Sequence, residues 1–122
     1  MHPKSLKWLN DIHQAGEPIL TATANRALAE YESDRLLQSG VERNFEIIGE
    51  ALGRIRKIDP ATAESVTDCG AIIAFRNLLI HGYEFIDNPR VWQIIKADVP
   101  RLHEQVWALL RESAENLSND QD

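Results

Sequence analysis

The stretch Asp34–Pro60, DRLLQSGVERNFEIIGEALGRIRKIDP, decides the fold of this 122-residue chain. Its apolar residues recur every three or four positions, which places them along one face of an α-helix. The stripe comprises Leu37, Val41, Phe45, Ile48, Leu52, Ile55 and Ile58. Ser33 is a candidate N-cap, and Asp59-Pro60 ends the helix because a residue before proline avoids helical geometry. A stripe of about six turns must be covered by other elements, so it predicts the spine of a helical core.

The N-terminal segment predicts a second helix. Its apolar residues from Leu6 to Leu20 keep the same three-or-four spacing through Gly16 and Pro18. Because the phase does not change at these two residues, we expect one kinked helix, with a break at Gly16 as the alternative. A short helical piece is expected at residues 26–31.

Two more helices are predicted in the C-terminal half. Residues 68–81 are apolar on more than one side, which is typical of a helix at the centre of a fold. Asn88-Pro89 can begin a last helix, whose apolar stripe keeps its phase across Pro100. No segment alternates apolar and polar residues as a strand does. The predicted fold class is therefore all-α, an antiparallel bundle of four long helices plus a short helix.

Size and composition indicate a single domain. Hydrophobic residues make up 43% of the chain and charged residues 26%, and a chain of this length can bury one core. We expect one domain over residues 1–114, followed by a polar, acidic tail at 115–122. No apolar run is long enough to span a bilayer and no secretory leader is evident, so we expect a cytoplasmic protein without membrane association.

The charge of the chain limits its partners. The net charge is −6, which disfavours nucleic acid because phosphate binding depends on cations. The acidity is uneven, since residues 1–57 hold eight basic and eight acidic residues, whereas residues 101–122 hold two and five. An anion site would need local cations such as Arg76, Arg43 or the cluster Arg54–Lys57, although such a cluster is also typical of a solvated helix end.

Reactive side chains are concentrated in Arg76–Tyr83, RNLLIHGY, which has the form R-x4-H-x-Y. Arg76 offers a permanent cation with several donors, and His81 can exchange a proton near neutral pH. On an ideal helix His81 lies well off the face of Arg76. Two arrangements could bring them together: Gly82 can end the helix before Tyr83, or two helix ends can meet about a twofold axis and pool their arginines and histidines.

Such a groove could cleave RNA without a metal. His81 would transfer a proton to or from a ribose oxygen, and Arg76 would stabilise the charge that develops on phosphorus. A purely structural alternative stands beside this reading. In that alternative His81 only caps the last carbonyls of its helix, Arg76 pairs with Glu46 or Glu50, and Tyr83 anchors the loop.

Other polar residues give weaker signals. His2, His13 and His103 lack the helical spacing and third ligand of a metal site, so we expect neither a metal nor another cofactor. Glu42-Arg43-Asn44 sets three polar groups into the long helix, where they form a surface ion pair or line a groove.

Three ordered blocks of the sequence resemble the HEPN superfamily, specifically its HepT-like toxins. The blocks are Gly40–Ala51 (GVERNFEIIGEA), Ala74–Tyr83 (AFRNLLIHGY) and a final one, VWQII through DVPRL, within Val91–Leu102. The likeness extends over nearly the whole length of the chain. The likeness is more specific than the short motif alone.

The resemblance implies a helical homodimer with a composite groove that acts as a metal-independent endoribonuclease toxin. It implies Arg76 and His81 as the catalytic pair, Asn77 as their polar neighbour, and Glu42, Arg43 and Asn44 as possible groove-lining residues. It also implies an antitoxin of the MntA type, a minimal nucleotidyltransferase that AMPylates Tyr83. Added bulk and negative charge there would repel RNA. The alternative is a non-catalytic helical module that docks a nucleotidyltransferase or binds nucleotides. The negative net charge of the chain favours this alternative.

Overall fold

The computed structural model describes residues 1–81 and 86–120, with the side chains of the last three of these left aside. It contains six helices in that part of the chain: α1 (Pro3–Thr23), α2 (Leu28–Glu32), α3 (Arg35–Ile58), α4 (Pro60–Glu64), α5 (Cys69–Ile80) and α6 (Asn88–Asp120). Residues 1–81 and 86–120 form no strand. The all-α prediction is confirmed, and α4 is a second short helix beyond the one expected.

The long helix α3 forms the spine of the core, as its stripe predicts. It packs against α1 on one side and α5 on another, and α1 also packs against α6. The core side chains of α3 are all at most 4% exposed: Val41, Phe45, Ile48, Ala51, Leu52 and Ile55. Neighbouring helices are antiparallel, since Gly70 lies near Arg56 while Arg76 lies on Gly49. The order of these pairs sets the register of α5 on α3.

Both prolines predicted to lie within helices do so. α1 continues through Gly16 and Pro18, and α6 continues through Pro100 into the polar residues 115–120. Proline has no backbone N–H, so the helix lacks one hydrogen bond at Pro100. Burial of the neighbouring apolar side chains offsets this loss, because Val99 and Leu102 are at most 3% exposed. No helix in the described part of the chain is both long and apolar enough to cross a membrane.

Aspartates set the two ends of α3. The predicted cap at Ser33 is wrong: Ser33 ends α2, and Asp34 accepts the bond from the backbone N–H of Leu37 at 3.0 Å. At the other end Asp59 begins α4 and accepts bonds from the Ser5 hydroxyl at 2.9 Å and the Thr62 hydroxyl at 2.6 Å. Its carboxylate also binds the backbone N–H of His2 at 2.9 Å. Asp59 thus fastens the start of α1 to the junction of α3 and α4.

The apolar helix α5 lies at the edge of the bundle, so its predicted central position is wrong. This helix packs mainly against α3. The buried residues of α5 are Cys69, Ile72, Ile73 and Phe75. Leu78 is 49% exposed and Ile80 is 44% exposed. Leucine and isoleucine side chains are usually buried. In a single copy of the chain, part of the apolar face of α5 is therefore exposed to solvent.

Candidate functional site

Arg76 lies on the face of α5 that packs against α3. The two helices approach each other at Gly49, where an added methyl group would overlap the Cβ of Arg76 and lie 2.5 Å from its Cγ. Only glycine leaves the space that this approach requires. The stem of Arg76 is therefore held against the backbone of α3, and its position depends on the register of the two helices.

The guanidinium group of Arg76 has little competition from other protein groups. Its Nη1 donates to the Oδ1 of Asn77 at 3.3 Å, and its Nε is buried and has no hydrogen-bond partner among the described residues. Within residues 1–81 and 86–120 Arg76 forms no ion pair, because Glu46 pairs with Arg43 at 3.2 Å and Glu50 with Arg54 at 2.9 Å. The structural alternative in which a glutamate of α3 neutralises Arg76 is not what the described residues show.

His81 is the C-cap of α5 and its side chain is exposed. Its backbone N–H, not its imidazole, donates to the carbonyl of Asn77 at 3.1 Å. Five helical residues separate His81 from Arg76, which corresponds to about 7.5 Å along the axis and about 140° around it. Within one chain the two side chains therefore leave α5 in different directions, as the sequence predicts for an ideal helix.

Two residues of the motif lie outside the described part of the chain. These are Gly82, predicted to end the helix, and Tyr83, predicted to be the AMPylation acceptor. The described helix α5 ends one residue before His81. Both predictions stay open.

The three polar residues of α3 point in different directions, because consecutive helical residues are about 100° apart. Arg43 is exposed and pairs with Glu46, whereas Asn44 donates to the carbonyl of Gly40 at 2.8 Å. Glu42 is half-buried, and burial, with a contribution from Glu46, raises the pKa of its carboxyl group.

Glu42 is the member of this trio that shares a face with Gly49, since seven residues are close to two full turns. In the antiparallel register it lies toward the end of α3 that is level with the end of α5. Its carboxyl group also lies near enough to the Tyr31 phenol of α2 to contribute to the raised pKa of that phenol. None of the three residues forms a recorded hydrogen bond with Arg76 in the described part of the structure.

A second cluster of titratable residues joins α1 to α6. The rings of His13 and His103 stack with centroids 4.3 Å apart, and Trp107 lies 5.2 Å from His13. The Nε2 of His103 lies 3.2 Å from a carboxylate oxygen of Glu17. No group of three or more potential metal ligands occurs among the residues described. The sequence gives no sign of this cluster, because its members are 90 residues apart along the chain.

An open groove of about 570 Å³ separates α5 from the first turns of α6. Its apolar walls include Phe45, Phe75 and Ile94. Asp68 and Asp98 lie at one end, where Arg101 bonds to both carboxylates at 2.7 and 3.1 Å. Asp68 begins α5 with a left-handed backbone, φ 59°, and its side chain makes this ion pair and does not cap the helix.

A family model described as Ribonuclease HepT-like matches residues 12–109, a range that includes Gly49, Arg76 and His81. No solved structure gives a significant match.

Curated relatives match over most of the chain. A candidate RNase of Methanocaldococcus jannaschii is 31% identical over 101 residues, which cover 81% of this chain and 90% of that protein. A protein of Thermococcus cleftensis, named a probable ribonuclease HepT, is 32% identical over 95 residues, or 78% of this chain and 86% of its own. A longer M. jannaschii protein, named a gamma-glutamylcyclotransferase and candidate RNase, is 27% identical over 92% of this chain, which spans only 50% of that relative.

Proposed function

The chain belongs to the HepT-like ribonuclease family, and from that premise we propose that it is an endoribonuclease toxin whose reactive groups are Arg76 and His81. The observation that carries the proposal is the state of Arg76. Its stem is fixed on α3, and no carboxylate in the described residues neutralises it. A preorganised cation whose terminal nitrogens remain available suits a phosphate in a developing transition state.

The proposed reaction is a transesterification within the RNA backbone. The ribose 2′-oxygen attacks phosphorus, the bond from phosphorus to the 5′-oxygen breaks, and a 2′,3′-cyclic phosphate and a 5′-hydroxyl result. His81 removes the 2′-hydroxyl proton or protonates the departing 5′-oxygen, and its exposed position leaves it accessible to a substrate. Arg76 stabilises the extra negative charge on the phosphoryl oxygens. Asn77 holds one terminal nitrogen of the guanidinium and so fixes its plane.

The site is completed by a second copy of the chain. Arg76 and His81 leave α5 in directions about 140° apart, so one helix does not direct both at the same phosphate. The outer face of α5 carries exposed Ala71, Ala74 and Leu78 at helical spacing. A twofold contact through this face would cover its apolar groups and combine an Arg76 with the partner's His81. Homodimerisation thus accounts for both the exposed apolar face and the separated reactive groups.

Regulation is proposed to act on Tyr83, two residues after His81. A nucleotidyltransferase of the MntA type would transfer AMP from ATP to the phenolic oxygen and release pyrophosphate. The added phosphodiester carries negative charge two residues along the chain from His81, which opposes RNA binding. Incubation with this partner, ATP and Mg²⁺ should add the mass of AMP to the chain. An equal mass gain in Tyr83→Phe would rule out this tyrosine as the acceptor.

The competing function is a non-catalytic module that docks a nucleotidyltransferase or binds a nucleotide. The net charge of −6 favours it, because the chain as a whole repels RNA. In that case the groove between α5 and α6 would be the docking surface. Purified protein that binds such a partner but leaves RNA intact would support this function.

The deciding experiment is RNA cleavage by the purified chain in the presence of a metal chelator. We expect Arg76→Ala and His81→Ala each to lower cleavage by about 100-fold or more. Arg111→Ala is the matched control, since Arg111 is an exposed arginine on the far part of α6. Cleavage that is unchanged in both motif variants would remove the catalytic assignment.

A further inference from the structure

We propose that Gly49 is a positioning residue for Arg76, acting through the backbone of α3. The inference rests on the proposed function, because Arg76 must act on RNA for its position to affect cleavage. Gly49 touches no substrate. It sets where the arginine begins, and thereby where the guanidinium group ends.

The contact involves the rigid part of the arginine. A methyl group at Gly49 would overlap Cβ and lie 2.5 Å from Cγ, whereas Cδ is 3.4 Å away. Rotation about the side-chain bonds moves the far atoms of an arginine but leaves Cβ in place. The overlap is therefore relieved only when the backbone of α5 moves away from α3. Ordinary carbon contacts begin near 3.4 Å, so relief of the Cβ overlap demands a backbone shift of about 1 Å.

Such a shift would act on the guanidinium group in two ways. It would open the space around Nε, which is buried and has no partner in the part of the chain that the structure describes, and admit water to it. It would also move both terminal nitrogens relative to the partner's histidine. A misplacement of about 1 Å in a catalytic group can lower the rate by about 100-fold.

The same helix supplies a matched control. A methyl group added at Gly53 has no heavy atom within 4 Å. Gly49→Ala and Gly53→Ala therefore make the same chemical change in α3 and favour helix formation equally. They differ in whether the added methyl group meets Arg76.

The test compares kcat and KM of these two variants on one RNA substrate. We expect Gly49→Ala to lower kcat by about 100-fold with KM little changed, and Gly53→Ala to keep wild-type values. The double variant Gly49→Ala/Gly53→Ala adds a favourable substitution and keeps the comparison valid if Gly49→Ala alone unfolds. Full activity of folded Gly49→Ala, or an equal loss in Gly53→Ala, would overturn the inference.

A measurement without RNA separates this inference from the proposed function. The Nε–H of Arg76 should exchange slowly with solvent in an NMR experiment on the wild type and on Gly53→Ala, and rapidly in Gly49→Ala. If exchange changes in this way while even the wild type fails to cleave RNA, the proposed function fails and the positioning contact stands. If the wild type cleaves but exchange and kcat are the same in all three proteins, Gly49 does not position Arg76.

Discussion

Mixing two inactive variants should restore RNA cleavage if the site is shared between two copies of the chain. The variants are Arg76→Ala, which keeps the histidine, and His81→Ala, which keeps the arginine. Each homodimer lacks one reactive group at every site. A mixed dimer has one site that combines the intact arginine of one copy with the intact histidine of the other.

The expected recovery follows from the geometry of α5. Because Arg76 and His81 diverge by about 140° around the helix, the proposed site takes them from different chains. Random exchange of equal amounts makes about half of the dimers mixed, and each mixed dimer has one working site of two. The mixture should therefore reach about a quarter of wild-type activity, against 1% or less for either variant alone, the loss of about 100-fold typical of a removed catalytic group.

The assay is cleavage of a fluorescent RNA after the two variants, carrying different affinity tags, have been mixed under conditions that exchange subunits. Purification through both tags isolates the mixed dimer, for which about half of wild-type activity is expected. Mixing two differently tagged batches of Arg76→Ala provides a control for exchange without complementation, because no dimer in that mixture holds an intact arginine. Mixed dimers that form but do not cleave would refute the shared site and place both groups of a site in one chain.

Three further changes test the rest of the structure. Leu78→Glu should convert the proposed dimer to a monomer in light scattering, because a carboxylate at an apolar interface loses its hydration. The control is Leu36→Glu, which should leave the dimer intact because Leu36 is 85% exposed. Asp59→Ala should cost about 1 kcal/mol of the free energy of unfolding measured in urea, since a helix cap and the link to His2 are lost. Hydrogen bonds lower the pKa of the Asp59 carboxyl in the folded protein. The loss of unfolding free energy in Asp59→Ala should therefore be present above the pKa of an unfolded aspartate and disappear as the pH falls through the lower pKa of the folded state. An equal loss at every pH would contradict this prediction. Burial, with a contribution from Glu42, raises the pKa of Tyr31, so its phenol should resist ionisation in an alkaline absorbance titration until the protein unfolds. As the control, Tyr31→Phe should give the same titration curve as the wild type below the pH at which the protein unfolds.

The sequence predicts the helices well because their patterns are local. The apolar stripe of α3 is buried from Val41 to Ile55, although Ile58 at its end is 40% exposed. The stripe of α6 continues across Pro100, with Ile95, Val99 and Val106 at most 1% exposed. The misplaced cap at Ser33 differs from the true cap by one residue. Two adjacent polar side chains offer nearly the same local signal there, and only the backbone geometry separates them.

What the sequence does not predict depends on contacts between elements. The motif residues Arg76 and His81 are visible as a spacing, but the contact of Arg76 with Gly49 requires the register of α5 on α3. No local rule supplies that register. The apolar composition of α5 predicts burial correctly only if a second copy covers its outer face, because a sequence pattern does not distinguish the inside of a fold from an interface.

The exposed apolar face of α5 also has a consequence for dosage in the cell. If reactive groups become competent only when two copies meet across this face, the amount of active enzyme at low abundance rises with the square of the chain concentration. A basal leak of expression would then do little harm, while a modest increase in synthesis, or loss of a partner that holds single copies, would raise cleavage steeply. The position of α5 at the edge of the bundle would thus set a threshold of chain concentration, below which little active enzyme forms.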